Sequence, residues 1–135
     1  MLEMKYTALV TVATLALTFG LSGRVGAMRQ RHGIDAPAIT GHPEFERANR
    51  IHYNTIEQLV LFLPLLWLAT GVIGDAWAAG VGGVWILGRL VYARAYQQDP
   101  KKRGPGMIIT ILATGALALS VLWGGLQAFL ASSGA

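Results

Sequence analysis

A stripe of polar side chains leads into an uncharged apolar run in the first half of this sequence. Residues 46–58 read ERANRIHYNTIEQ, and residues 59–73 read LVLFLPLLWLATGVI. Four of the polar residues fall within an arc of about 80° on a helix that turns roughly 100° per residue: Arg47, Arg50, Asn54 and Glu57. Charged groups at membrane depth are costly unless they pair or line a wet cavity, so the stripe indicates a functional site. A structural ladder of ion pairs is the alternative interpretation.

A second polar stripe occurs in residues 88–106, GRLVYARAYQQDPKKRGPG. Arg89, Tyr92 and Tyr96 fall within an arc of about 60° by the same geometry, and Arg103 lies near that direction if the helix continues past Pro100. Because Pro100 cannot donate a hydrogen bond to the carbonyl of Tyr96, we expect the helix to kink or end there. Tyrosines near a membrane boundary also serve as interfacial anchors, which is the alternative role for this pair.

The two stripes together predict an anion-binding pocket. We expect Arg89 to form a buried, mainly structural ion pair with Glu57. The remaining donors make a cationic pocket at the cytoplasmic membrane boundary: Arg50, Asn54, Tyr92, Tyr96 and Arg103. An anionic substrate could meet a lipophilic partner from the bilayer there.

The residue types exclude several other chemistries. The sequence has no cysteine, which rules out disulfides, thiolate metal sites and a cysteine nucleophile. His32, His42 and His52 lie in loop or helix-start positions without the spacing of metal ligands, so we expect solvated histidines and no metal site.

Four helices must position these groups. The chain has 135 residues, 53% of them hydrophobic and 13% charged. Four stretches reach the roughly 20 apolar residues that a membrane span requires: about 6–27, 51–73, 77–96 and 106–130. We therefore predict an all-α fold, an integral membrane four-helix bundle with residues 1–135 as a single domain. Spans two and three should form an antiparallel hairpin, and Gly80, Gly82, Gly83 and Gly88 should allow close helix approach.

The basic residues predict the orientation. Most of them fall in loops 28–50 and 97–105, which the positive-inside rule places in the cytoplasm, with both termini outside. Pro43, Glu44 and Glu46 are typical of a first helical turn, so span two should begin within the first of these loops. We attribute the net charge of +4 to the membrane topology and to contact with anionic membrane lipid, rather than to binding of nucleic acid.

The strings FERANRIHYNTIE and GRLVYARAYQQDPKKRGPG resemble the membrane-associated proteins in eicosanoid and glutathione metabolism, the MAPEG family. The resemblance covers roughly residues 25–110. It implies a left-handed four-helix bundle, a homotrimer, and glutathione as co-substrate between neighbouring subunits. Arg50, Asn54, Glu57, Tyr92 and Tyr96 match the family's glutathione-binding positions. Arg103 matches the arginine that activates the thiol, since a fixed cation lowers a thiol pKa.

The sequence departs from leukotriene C synthase at two places. Two adjacent arginines close the first helix there, whereas this chain reads Arg29, Gln30, Arg31; and the aromatic residue after the helix-two glutamate is Gln58 here. Both differences argue against a leukotriene-type substrate, and they leave the identity of the lipophilic substrate undetermined. Further candidate contacts are Arg29, Arg31, Arg47, His52, Gln58 and Arg89.

The predicted function is that of a membrane glutathione transferase or peroxidase of a bacterial inner membrane, in which a glutathione thiolate attacks a lipophilic electrophile or hydroperoxide. A small four-span proton-coupled drug exporter is the alternative from another class. Such exporters use an embedded acid without a matched cationic lobe, whereas Glu57 has Arg50 and Arg89 as candidate neutralisers. A catalytically silent family member that binds a thiol or lipid is a third interpretation.

Overall fold

The computed structural model describes residues 2–134 and is helical throughout most of that range. Four long helices account for it: α1 (Lys5–His32), α2 (Pro43–Ile73), α3 (Asp75–Gln98) and α4 (Gly104–Ser133). Short 3-10 helices, Leu2–Met4 and Pro100–Arg103, precede α1 and α4. All four long helices are long and apolar enough to cross a membrane. The prediction of an all-α fold with four candidate membrane spans is therefore confirmed.

The helices form a bundle with α2 and α3 at its centre. The outer helices α1 and α4 each pack against both central helices, and α2 packs against α3. Gly74 alone connects α2 to α3, at a positive φ of 88°, which confirms the predicted hairpin. The α1–α2 and α3–α4 connections lie at the opposite end of the bundle, which we call the basic end because most arginines and lysines lie there.

The helices extend beyond the predicted spans, mainly at the basic end. The connection predicted at residues 28–50 is reduced to 33–42, because α1 continues to His32 and α2 already begins at Pro43. The length of an apolar stretch corresponds only to the part of a helix that contacts lipid. It therefore does not predict the polar turns by which a helix extends beyond the bilayer. The predicted helix start at Pro43 is confirmed, with His42 as N-cap accepting a hydrogen bond from the Glu44 N–H at 3.1 Å.

Aromatic stacking and a carboxylate cap hold the bundle together away from the basic end. Phe62 of α2 and Trp85 of α3 stack with ring centroids 4.2 Å apart, and both are fully buried. Asp75, at the start of α3, accepts hydrogen bonds from the backbone N–H groups of Tyr6 and Thr7 at 2.9 and 2.8 Å. These N–H groups belong to the first turn of α1 and would otherwise lack partners. The N-terminal helix is thus fixed to the hairpin.

Glycines set the distances between helices, although not all of those predicted. A Cβ at Gly82 would lie 2.7 Å from Val10 of α1, and one at Gly88 would lie 2.9 Å from the backbone of Thr110 in α4. A Cβ at Gly80 or Gly83 has no neighbour within 4 Å in this chain, so within the single chain the predicted close approach occurs at Gly82 and Gly88. The closest approach is at Gly106, where a Cβ would overlap the backbone of Tyr92. This contact places the start of α4 directly against α3.

Replacing Gly106 with alanine should destabilise the fold by about 1–3 kcal/mol or more, because the added methyl group meets backbone that cannot turn aside. Thermal unfolding of the detergent-solubilised protein, followed by circular dichroism, measures the change. Gly104→Ala is the matched control, since a Cβ there has no neighbour within 4 Å. The control should unfold at or slightly above the wild-type temperature. Equal unfolding temperatures for the two variants would contradict the close packing at Gly106.

Candidate functional site

A cavity of about 250 Å³ lies at the basic end between α2, α3 and the start of α4. Its lining residues are Arg50, Asn54, Tyr92, Tyr96, Arg103 and Met107. Five of these six were predicted from the two polar stripes to share a pocket. A larger cavity of about 500 Å³ lies at the other end between α1 and α3, but its walls are almost wholly apolar and hold no charged group.

The α2 side of the cavity is organised by hydrogen bonds around Glu57. Arg50 donates to the Glu57 carboxylate at 3.2 Å, and the Asn54 amide donates to its other oxygen at 3.4 Å. The Arg50 and Glu57 side chains are each about half exposed, at 52% and 54%. The predicted α2 stripe is therefore present, with Glu57 orienting Arg50 and Asn54 from beside the cavity.

The predicted ion pair between Glu57 and Arg89 is wrong within this chain. Arg89 is 1% exposed and donates to the Asn54 side-chain oxygen at 3.0 Å, so Asn54 lies between the two charged groups. The Arg89 guanidinium also stacks on the Tyr92 ring, 4.0 Å from its centroid. Its Nε and one Nη are buried without a hydrogen-bond partner among the described residues. Helical spacing predicted which sides of α2 and α3 face each other. It did not predict how far each side chain reaches into the bundle, and so it did not identify the partner of Arg89.

The tyrosines and Arg103 form the opposite wall. Tyr92 is almost fully buried, Tyr96 is partly exposed, and their ring centroids are 5.5 Å apart. Arg103 ends the short 3-10 helix and donates to the carbonyl of Pro100 at 3.0 Å. The expected break near Pro100 is thus present, and the 3-10 turn brings Arg103 to the cavity.

Three arginines proposed as further contacts bind backbone or acid elsewhere in the chain. Arg47 donates to the carbonyls of Gln97 and Gln98, and so caps the C-terminus of α3. Arg29 donates to the Ala38 carbonyl at 2.7 Å and thereby holds the α1–α2 connection. Arg31 lies 3.4 Å from the Glu44 carboxylate. None of the three lines the cavity within the described chain.

Two histidines are not the isolated, solvated side chains expected from the sequence. The rings of His32 and His42 stack with centroids 3.6 Å apart, and His32 Nε2 lies 2.9 Å from the Glu44 carboxylate. These three residues bring their ligand atoms within 4.8 Å of one another. However, His42 Nδ1 already accepts the Glu44 N–H, which uses the one lone pair that a neutral imidazole offers. The three residues therefore connect the end of α1 to the start of α2 by hydrogen bonds and ring stacking.

Two further candidates, His52 and Gln58, lie on α2 but not in the cavity wall. Met107 does line the cavity and was missed. It follows Arg103 by one helical turn, so the i, i+4 spacing was an available signal. An apolar side chain beside two cations is suited to the non-polar part of a substrate.

The cavity can bind an anion and favour a negative charge that develops within it. Arg50 and Arg103 supply charge and fixed N–H donors, and the tyrosine side chains can donate as well. Within the described chain, Glu57 is the acid that contacts these groups, and it is already paired with Arg50. Preorganised donors of this kind stabilise anionic ligands and transition states without rearrangement.

The fold and the site define a class of protein: a four-helix integral membrane protein with a cationic, donor-rich cavity at one end of its bundle. The MAPEG family model matches residues 7–123, and the chain belongs to this family. It is 43% identical to an uncharacterised protein of Synechocystis sp., over 90% of this chain and 91% of that protein. It is 37% identical to microsomal glutathione S-transferase 2 of Homo sapiens, over 76% and 68% of the two chains. Leukotriene C4 synthase of Bos taurus is 34% identical over 75% and 67%.

Asn54→Leu and Glu57→Gln should differ in their effect on stability. Leucine at position 54 removes the hydrogen-bond acceptor of the buried Arg89 guanidinium, which should cost about 2–3 kcal/mol. Glu57→Gln weakens a half-exposed pair and should cost at most about 1 kcal/mol. Chemical or thermal unfolding in detergent measures both. If Glu57→Gln proves the more destabilising change, Glu57 and not Asn54 is the effective partner of Arg89.

Proposed function

We propose that this protein is a membrane glutathione transferase whose cavity binds glutathione and stabilises its thiolate. The observation that carries the proposal is the convergence of Arg50, Asn54, Tyr92, Tyr96 and Arg103 on one cavity. Membership of the MAPEG family supports it, because relatives are named as microsomal glutathione S-transferase 2 and leukotriene C4 synthase.

Binding is assigned mainly to the α2 and α3 residues. Glutathione carries two carboxylates and one ammonium group, so it needs cationic donors together with an acceptor. Arg50 is the proposed carboxylate anchor, since an arginine fork matches a carboxylate with two hydrogen bonds. Asn54, Glu57, Tyr92 and Tyr96 are the proposed further contacts, with Glu57 as an acceptor available to the ammonium group.

Activation of the thiol is assigned to Arg103. A free thiol has a pKa of about 8.5, and a nearby fixed cation lowers it because the thiolate is the form that the charge stabilises. The sulfur of glutathione is then the nucleophile, which agrees with a sequence that contains no cysteine. The hydrogen bond from Arg103 to the Pro100 carbonyl supports this role, since it limits the movement of the guanidinium.

The second substrate is proposed to be a lipophilic electrophile that reaches the cavity from the bilayer. In a transfer reaction the thiolate forms a carbon–sulfur bond, the leaving group departs with the bonding electrons, and the thiol proton passes to solvent. With a hydroperoxide, the thiolate attacks oxygen to form a sulfenate and release the alcohol. The sulfenate then takes a proton from solvent, and a second glutathione reduces it to give disulfide and water. Met107, at the edge of the cavity, is the candidate contact for the non-polar substrate.

A homotrimer is part of the proposal. Ligand sites are commonly about 300–1,000 Å³, so the cavity of one chain, at about 250 Å³, is small for a tripeptide. A neighbouring subunit would enlarge it. The open faces at Gly80 and Gly83 on α3 are available for such packing, since small residues favour helix association in membranes. Arg29 or Arg31 of a neighbour would then supply the cationic groups that lie outside the cavity of their own chain.

The proposed location is a bacterial inner membrane, with the basic end in the cytoplasm and the termini outside. The distribution of arginine and lysine supports this orientation, because both basic connections lie at one end of the bundle. The cavity would then open to the cytoplasmic pool of glutathione.

Glutathione titration with ultraviolet detection of the thiolate tests the proposed function. The wild-type protein in detergent should give saturable thiolate absorbance at neutral pH. Arg103→Ala should raise the pKa of bound glutathione by about one unit or more, so the thiolate fraction at neutral pH falls and conjugation slows. Its glutathione affinity should fall less than that of Arg50→Ala, because Arg103 acts on the charged sulfur and Arg50 on a distant carboxylate.

Lys101→Ala and Lys102→Ala are the matched controls, since both are exposed cations of the same 3-10 turn that do not line the cavity. They should leave the thiolate pKa unchanged. A wild-type pKa in Arg103→Ala would remove Arg103 from the mechanism and make Arg29 and Arg31 the next candidates. Saturable binding without thiolate formation would identify a silent binding protein. Proton release on addition of an organic cation would support an exporter.

Native mass spectrometry from detergent should give a trimer. The expectation follows from the small cavity of the single chain and the open small-residue face of α3. Substituting Gly80 and Gly83 with leucine should weaken the assembly without unfolding the bundle, because a Cβ at either position has no neighbour within 4 Å in this chain. A stable dimer would contradict the proposed assembly.

A further inference from the structure

A second cavity at the basic end lies on a different face of the bundle, between α1 and α3. Its volume is about 220 Å³, and Ile51 of α2 contributes to its wall. Its other lining residues are Leu21, Arg24, Leu90, Ala93, Arg94 and Gln97. It has no residue in common with the glutathione cavity proposed above.

The two arginines of this cavity have no assigned partner. Arg24 and Arg94 are exposed, and neither makes a hydrogen bond or ion pair among residues 2–134. Arginines that contact the connections at the same end do have partners: Arg29, Arg31, Arg47 and Arg103. No acidic residue lines the cavity within the described chain. The cavity therefore presents two free guanidinium groups without a neutralising charge.

Arg24 and Arg94 each lie within one helical turn of the basic end of a predicted span, 6–27 and 77–96, which is where the headgroup region of a bilayer would lie. Arg24 precedes the end of α1 at His32 by about 12 Å, and Arg94 precedes the end of α3 at Gln98 by about 6 Å, at 1.5 Å per residue. Arg94, about one turn from the end of α3, is also favoured by the helix dipole. Leu90, one turn before Arg94 on the same side of α3, is open to the surroundings at 49% exposure. Gly80 and Gly83, proposed above for subunit packing, lie on this side about 10 Å or more closer to the start of α3, at 1.5 Å per residue. The apolar surface thus continues from the arginines toward the middle of the bilayer.

We propose that this cavity is a binding site for an anionic phospholipid. The phosphate would lie between Arg24 and Arg94, and an acyl chain would follow Leu21 and Leu90. Two unpaired cations above an apolar wall complement a phosphate that is joined to hydrocarbon, whereas a soluble phosphate would leave the apolar wall uncovered. Gln97 adds a buried side-chain oxygen that has no hydrogen-bond partner in the described chain, beside the proposed headgroup position. A headgroup hydroxyl is suited to that acceptor.

Native mass spectrometry of protein purified in detergent with added phosphatidylglycerol or phosphatidylcholine tests this site. The wild-type protein should retain phosphatidylglycerol through delipidation in preference to phosphatidylcholine. The double variant Arg24→Gln, Arg94→Gln should bind phosphatidylglycerol about thirtyfold more weakly, because each basic residue near a headgroup contributes about fivefold and the two factors multiply. The double variant Lys101→Gln, Lys102→Gln removes the same charge from the exposed turn and should bind as the wild type does.

Ala93→Leu tests the contribution of the cavity independently of its charge, because the larger side chain fills the space and leaves both arginines in place. It should also reduce lipid retention. Equal losses in the arginine and lysine double variants would overturn the site in favour of general attraction to anionic lipid, as would full retention in the arginine variant. Thermal stabilisation of the wild type by inorganic phosphate equal to that by phosphatidylglycerol would overturn the lipid assignment. Thiolate formation should be unchanged in all three variants, so the outcome is independent of the proposed glutathione chemistry.

Discussion

A guanidinium group buried between helices of a membrane protein requires hydrogen-bond acceptors that hydrocarbon cannot supply. Arg89 meets part of this requirement with the Asn54 side-chain oxygen and the face of the Tyr92 ring, while its Nε and one Nη have no acceptor among the described residues. The cost of burying the charge is several kcal/mol unless such contacts form, so they fix the relation between α2 and α3. Asn54 and Tyr92 are also walls of the candidate site. The same interaction thus holds the two central helices together and orients two of the residues proposed to bind substrate.

The architecture was predictable because apolar length and helical period are directly readable from a sequence. Each predicted span is helical, and the two polar stripes converge on one cavity, as the facing arcs of Arg50 and Asn54 with Tyr92 and Tyr96 implied. The period of a helix gives the side on which a residue lies. It does not give the length or direction of the side chain, which is why Glu57 was assigned to Arg89 although Asn54 lies between them.

Contacts across connections were the other part that the sequence did not disclose. His32 and His42 are separated by a turn of irregular backbone, and only the path of that turn brings their rings together. Similarly, no periodicity relates Arg47 to the carbonyls of Gln97 and Gln98, since the contact joins the start of α2 to the end of α3. Interactions of this kind depend on where chain segments meet in space, whereas pattern reasoning relates residues within one element. The sequence showed that positive charge is concentrated at the basic end. It did not show which carbonyls and carboxylates the individual arginines bind.

Two local contacts determine the position of Arg103, and no pattern of apolar residues in the sequence predicts either of them. Asp99 accepts the Lys101 N–H at 3.0 Å and starts the 3-10 turn, and Gly106 lets the following helix rest against the backbone of Tyr92. Arg103 lies between these fixed points and binds the Pro100 carbonyl with one guanidinium nitrogen. A guanidinium carries five N–H groups in a rigid fork, so others stay available to a ligand. In the proposed reaction this restraint matters because a cation held in advance stabilises the thiolate without reorganising, whereas a mobile one would first lose conformational freedom.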